Sequence, residues 1–208
     1  MLGGGAPGLA EAVEGVAAED IDDLTAGALG EDLVGLRGQI DRLETEFARR
    51  LRLFHQRHGY RDDGAPSLVS WLRNRCRMSS GAAMQRVEVA MKLPELPEAE
   101  AMFRCGKLGL GHATVLARVV SDVGATAARI AEGTLLEAAR VLDPSRLRLV
   151  ARHLRQCVDP DGALAAALRD HARRYLHLSQ TFDGVYVIDG LLDAEGGATL
   201  KTALNALS

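Results

Sequence analysis

Arginine and polar side chains cluster between Ser67 and Leu96, where the sequence reads SLVSWLRNRCRMSSGAAMQRVEVAMKLPEL. Two helical patterns lie here on either side of a short polar break, an arrangement typical of a DNA-binding helix-turn-helix. In such a motif arginine and serine side chains bind phosphates, and side chains early in the second helix reach bases. The residues predicted to contact DNA are Arg73, Arg75, Arg77, Ser79, Ser80, Gln85 and Arg86.

A purely structural interpretation of this segment stays open beside the DNA-binding one. The segment from Ser67 to Lys92 carries a net charge of +4, but its one carboxylate, Glu88, would lie on the exposed face and repel phosphate. Arg75 falls on the apolar side of the first helix, which a clean support helix would avoid. The predicted buried face of the second helix contains Ala83, Met84, Val87, Ala90 and Met91.

A second basic stretch runs from Arg140 to Arg174, also with a net charge of +4. Arg148, Arg152 and Arg155 share one face of a predicted helix because of their four- and three-residue spacing. Such a face can bind phosphate without sequence preference. A solvated basic face is the commoner meaning of the pattern, and we favour it here.

The sequence predicts no catalytic residue, metal site or cofactor. His55 and His58 have half of a metal-binding spacing, but no third ligand accompanies them. The glycines of GKLGLG follow no strand, so this stretch is predicted to link two helices rather than to bind phosphate. The three cysteines form no CxxC pair, which indicates reduced thiols in a cytoplasmic protein.

The first 30 residues are predicted to be a disordered acidic leader, and residues 31–208 to form one helical domain. Residues 1–34 hold eight carboxylates and no basic residue, so the remaining chain has a net charge of +5 although the whole carries −3. A heptad-like apolar stripe then predicts a long helix from about Glu31 to His58. This stripe could join two copies of the chain through Leu33, Ile40 and Phe47.

Composition and pattern together predict a mainly α fold, a multi-helix bundle with a helix-turn-helix-like pair and a C-terminal β-hairpin. Asp143 and Pro144 are a strong helix start signal. Alternating residues from Tyr175 to Asp189 predict the hairpin. No apolar run is long enough to span a membrane. Since Ser208 falls within an amphipathic pattern, we expect the chain to be a truncated form of a longer protein.

The segment from Ser67 to Val120 resembles the 13E12-repeat family (domain of unknown function 222). The likeness continues through LDPSRLRLVARHLRQCVDPDGA and FDGVYVIDGLLDAEGGATLKTALNAL, covering nearly everything from Glu31 onward. The resemblance implies a helical N-terminal region of a mobile-element-associated protein, found ahead of HNH endonuclease modules. An HNH module needs paired metal-binding histidines, whereas the predicted hairpin holds only His177. Nuclease activity therefore cannot be assigned to any residue here.

Residues and resemblance together favour a non-catalytic, DNA-associated helical region that would position an HNH module, with double-stranded DNA as its partner. Two alternatives remain open at this level. The chain could be a structural or homodimerisation module whose arginines are only solvated, or a degenerate remnant without activity.

Overall fold

The computed structural model describes residues 8–160, 164, 168, 169 and 171–206, and it confirms the predicted mainly α fold. The helices are α1 (Leu9–Ala17), α2 (Ala26–Gln56), α3 (Gly59–Asp62), α4 (Leu68–Arg75), α5 (Ser80–Lys92), α6 (Pro97–Arg104), α7 (Leu110–Val123), α8 (Ala125–Val141), α9 (Pro144–Val158) and α10 (Ala194–Ala206). A 3₁₀ turn, Leu93–Glu95, follows α5. The strands are β1 (Tyr175–Gln180) and β2 (Tyr186–Leu191).

The long helix α2 begins at Ala26 rather than at the predicted Glu31. Its start is fixed by Thr25, whose hydroxyl accepts a hydrogen bond from the Ala28 N–H at 3.2 Å. The helix ends at Gln56, and the chain turns into α3 through His58. Gly59 follows this turn, and a Cβ there would lie 2.2 Å from Cε2 of Phe54, so any other residue would displace the Phe54 ring.

Two apolar clusters share helix α5. The main core joins α5 to the helices that follow it, and it surrounds Leu116, which is fully buried on α7. The second core joins α5 to α2, α3 and α4, and it contains Leu72 and Ala83, both without exposed surface. Burial of these side chains supplies most of the free energy that holds α4 against α5. The helix pair is therefore fixed to the body of the protein from both sides.

The predicted hairpin is confirmed as an antiparallel pair of strands. Tyr175 pairs with Leu191, and Gln180 pairs with Tyr186 at the turn end. Every residue of both strands is exposed. Helix α1, which lies within the predicted leader, also has no buried residue. The packed part of the described chain therefore extends from the middle of α2 to α9.

Two buried carboxylates replace local caps at the starts of α6 and α7. Neither helix has a side-chain cap of its own. Asp41 of α2 accepts a hydrogen bond from the Leu110 N–H at 3.1 Å, and Glu132 of α8 accepts one from the Ala99 N–H at 2.8 Å. Each carboxylate residue is 6% exposed. Because helix N-termini leave unsatisfied donors and attract negative charge, these bonds link separate helices.

Candidate nucleic-acid interface

The turn between α4 and α5 has the connection length of a helix-turn-helix. It consists of Cys76, Arg77, Met78 and Ser79. Arg77 adopts a φ of 55°, a left-handed conformation that reverses the chain after α4. The Ser79 hydroxyl then caps α5 by accepting a hydrogen bond from the Ala82 N–H at 3.2 Å. The local sequence thus produces the predicted helix–turn–helix-like pair.

Arg73 and Arg77 are the two arginines of this turn whose charges are unpaired in the described part of the chain. Both are exposed, Arg73 in the last turn of α4 and Arg77 between the helices. Arg75 is also exposed, but its Nε lies 3.8 Å from Oδ2 of Asp63. The same Asp63 oxygen also accepts a 2.7 Å hydrogen bond from Nε1 of Trp71. Asp63 therefore neutralises the charge of Arg75 only in part.

The hydroxyl groups of Ser79 and Ser80 differ in whether they already take part in a hydrogen bond within the protein. The Ser79 hydroxyl accepts the capping bond, which restricts how it could contact another molecule. Ser80 is exposed at the first position of α5. Helix α5 has 13 residues, so its N-terminus carries the partial positive charge of a full helix dipole. Ser80 and the turn arginines are all exposed around this turn, and we call these residues the turn surface (Arg73, Arg75, Arg77 and Ser80).

Gln85 and Arg86 do not belong to the turn surface. Nε2 of Gln85 donates a 2.8 Å hydrogen bond to the Thr114 hydroxyl on α7. Nε of Arg86 donates a 3.1 Å bond to Oε2 of Glu44 on α2, and the Arg86 side chain is only 20% exposed. Both side chains lie between helices because α5 packs against α2 and α7 at once. An α5 held in this way does not present these residues to a DNA groove.

Two further residues of α5 differ from their sequence interpretation. Met84 was expected on the buried face but is 53% exposed. Glu88, the expected source of phosphate repulsion, accepts a 3.0 Å hydrogen bond from the Ser121 hydroxyl and lies 3.4 Å from Arg118. Its negative charge is therefore largely compensated within the protein. Ala83 and Ala90 are buried as predicted, but α2, α4 and α7 all pack against α5, so Val89 is buried as well and Met84 is not.

A second basic surface combines α9 with α7. The shared face of Arg148, Arg152 and Arg155 was predicted, but Arg118 on α7, which completes this surface, was not. The sequence indicates an ion pair between Arg118 and Asp122 through their i, i+4 spacing. It gives no sign that Arg118 lies beside α9, because that proximity results from the packing of α7 against α9.

The described part of the chain contains no group of three or more metal-ligating side chains that could hold a metal ion. Within the same residues, no helix is both long and apolar enough to cross a membrane. Nδ1 of His55 is buried without a hydrogen-bond partner, and its ring stacks on Tyr60 at a centroid distance of 5.8 Å. His55 is thus a packing residue at the end of α2.

Residues 28–208 match the family model described as "Domain of unknown function (DUF222)". The match confirms the resemblance to this domain over nearly the whole described fold. It does not extend to an association with HNH nuclease modules. No curated protein and no solved structure matches the chain.

Proposed function

The chain belongs to the DUF222 family, and we propose that it is a non-catalytic, DNA-associated helical region that binds duplex phosphates through the turn surface. The observation that carries the proposal is the pair of exposed, unpaired guanidinium groups of Arg73 and Arg77 at one end of a firmly packed helix pair. Guanidinium groups bind phosphate oxygens in a bidentate manner. The N-terminus of α5 and the Ser80 hydroxyl add further donors beside them.

The internal contacts of Gln85 and Arg86 argue for backbone binding rather than base reading. Releasing Arg86 to DNA would leave Glu44 half-buried without its partner, which is costly. We therefore expect binding with little sequence preference and a strong dependence on salt. In the longer relatives implied by the resemblance to mobile-element-associated proteins, such binding would hold an HNH module near DNA.

The test is binding of the full chain to a short duplex over a range of salt concentrations. Two to three phosphate contacts give a slope of log K against log salt of about −2 to −3. The double variant Arg73→Ala/Arg77→Ala should reduce that slope by about 2 and weaken binding at low salt. Alanine at position 77 is as strained by the left-handed backbone as arginine, so the fold should be unaffected.

The matched control is Arg49→Ala/Arg50→Ala. It removes the same charge from arginines that are also exposed, but both of these bind Glu46. If both double variants lose the same amount of affinity for the duplex, overall charge rather than the turn surface governs binding. Negligible binding by the unmodified chain at low salt would reject the proposal altogether.

Homodimerisation through α2 is a second candidate, favoured by an uncovered apolar stripe. Leu33, Leu36, Ile40 and Leu43 are 38–65% exposed, and the stripe continues into Phe47, which packs on the second core. A second copy of α2 would cover it in the heptad manner. Sedimentation should then show a dimer that Leu33→Gln/Ile40→Gln dissociates, whereas Ile130→Gln, on α8 and 84% exposed, leaves it intact. A monomer at high concentration would exclude this candidate.

A further inference from the structure

An open groove of about 420 Å³ lies between α7 and α9, with Glu88 of α5 at one side. Its floor is apolar, made of Val115, Val119 and Ala151. Guanidinium groups from two helices surround this floor. The four are Arg118, Arg148, Arg152 and Arg155.

The carboxylates in the groove neutralise only part of this charge. Asp122 lies between two arginines, 3.6 Å from Nε of Arg118 and 3.8 Å from a terminal nitrogen of Arg155. Arg148 and Arg152 are exposed and have no carboxylate partner in the described chain. Four positive charges against the two negative charges of Asp122 and Glu88 leave a net charge of +2. A doubly charged anion would balance it.

Arg155 also has unused donor capacity. Its side chain is 31% exposed, and its Nε is buried without a hydrogen-bond partner. The 3.8 Å contact to Asp122 is longer than a hydrogen bond. A small rotation towards an oxygen-rich anion would replace this weak contact with charge-assisted hydrogen bonds.

We propose that this groove is a second, separate anion site and that it binds a phosphoryl group. A phosphoryl group offers several oxygens to the guanidinium forks of Arg148 and Arg152, and its charge complements the groove. The phosphoryl group could belong to a small ligand or to the backbone of DNA. Neither source requires the turn surface.

The experiment compares two variants with the same change of charge, in the full chain at low ionic strength. Arg148→Ala/Arg152→Ala alters the groove, and Arg73→Ala/Arg77→Ala alters the turn surface. Each is titrated calorimetrically with inorganic pyrophosphate and, separately, with a short DNA duplex. We expect the groove variant to weaken binding by about tenfold or more, because charge-assisted hydrogen bonds are lost.

The two ligands identify the source of the phosphoryl group. Pyrophosphate binding that is lost in the groove variant alone supports a small ligand. Duplex binding lost in that variant, without pyrophosphate binding, supports the DNA backbone. If neither ligand shows a loss specific to the groove variant, the groove proposal fails, whatever the turn variant does. A loss confined to the turn variant bears on the DNA-binding function of the turn surface instead.

Asp122→Asn provides a test with the opposite sign. This substitution preserves side-chain size while removing the carboxylate that competes for Arg118 and Arg155. We expect it to tighten binding of whichever ligand occupies the groove by about threefold or more. A purely structural role of Asp122 predicts no gain in affinity, so unchanged or weaker binding in a folded variant would overturn the proposal.

Discussion

Asp41 is the residue for which the structure gives the sharpest stability prediction. Its carboxylate joins the middle of α2 to the first turn of α7 through the Leu110 N–H, and it pairs with Arg37 one turn earlier on α2. Gly109, the residue before α7, allows this close approach of the two helices. A Cβ at that position would lie only 3.2 Å from Oδ2 of Asp41. Replacing Asp41 with alanine should therefore separate α2 from α7 locally.

The magnitude follows from the surroundings of each partner. The Leu110 N–H would lose a charged acceptor in a largely buried place, at a cost of about 2–3 kcal/mol in the free energy of unfolding. Arg37 would lose little, since its side chain is 56% exposed and returns to water. For a chain of this size the melting temperature of Asp41→Ala should fall by about 4–12 °C. The control Arg37→Ala keeps the Leu110 bond but leaves the buried Asp41 carboxylate without its guanidinium partner, so it should lower stability measurably but by less than Asp41→Ala.

The pH dependence of stability provides a second signature of the same carboxylate. Burial alone would raise the pKa of Asp41, but hydrogen bonds from Arg37 and from the Leu110 N–H outweigh burial and lower the pKa below its usual range. The unfolded chain therefore binds the proton more readily than the folded one. The stability that Asp41 contributes is present above its unfolded pKa of about 4 and is lost as the pH falls through the folded pKa.

Thermal and urea unfolding, followed by circular dichroism, measure both effects, and amide exchange at Leu110 locates them. The stability difference between the unmodified chain and Asp41→Asn should be constant above about pH 5 and shrink at lower pH. If Asp41→Ala melts like the unmodified chain, or if Arg37→Ala is equally destabilising, capping across helices is not what Asp41 does.

Three further predictions concern contacts between helices and at one cap. Glu132→Ala should cost about 2 kcal/mol in unfolding free energy and Glu132→Gln clearly less, since glutamine still accepts from the Ala99 N–H; urea unfolding of both variants measures the difference. Arg86→Ala and Glu44→Ala should show a coupling of about 1 kcal/mol or more in a double-mutant cycle, and additive effects would contradict their pairing. Ser79→Ala should cost about 1 kcal/mol through loss of the α5 cap, whereas Ser79→Asp, with another good capping side chain, should retain stability.

Local signals in the sequence account for much of the fold. Asp143 starts α9 as predicted, because its Oδ1 accepts hydrogen bonds from the Ser145 and Arg146 N–H groups. Alternation from Tyr175 onward predicts the hairpin, because its two strands are close together in sequence and pair directly with each other. The start of α2 at Ala26 was missed because Thr25 is a cap in a Gly- and Ala-rich stretch without an apolar pattern. Such signals extend over a few residues and can be read without the tertiary structure.

The candidate site could be predicted only in part, because ion pairing is a tertiary property. A local count gives the segment around α4 and α5 a charge of +4. That count omits Glu44, which lies 42 residues before Arg86 in sequence and neutralises it. It likewise omits Asp63, which partly compensates Arg75. The partner of Gln85, Thr114, is also distant in sequence, so no periodicity argument could have turned that side chain inward.

Each of the two candidate surfaces contains a pair of arginines that no carboxylate among the described residues neutralises. Most arginines of the described helices lie within ion-pair distance of a carboxylate, as Arg129 does with Glu95. Arg73 and Arg77 at the turn surface, and Arg148 and Arg152 in the groove, have no such carboxylate. Since paired charges attract phosphate only weakly, we expect these four arginines to contribute most of the phosphate binding at the two candidate surfaces. Substituting each pair in turn distinguishes the contributions of the two surfaces to binding, because both double variants have the same total charge.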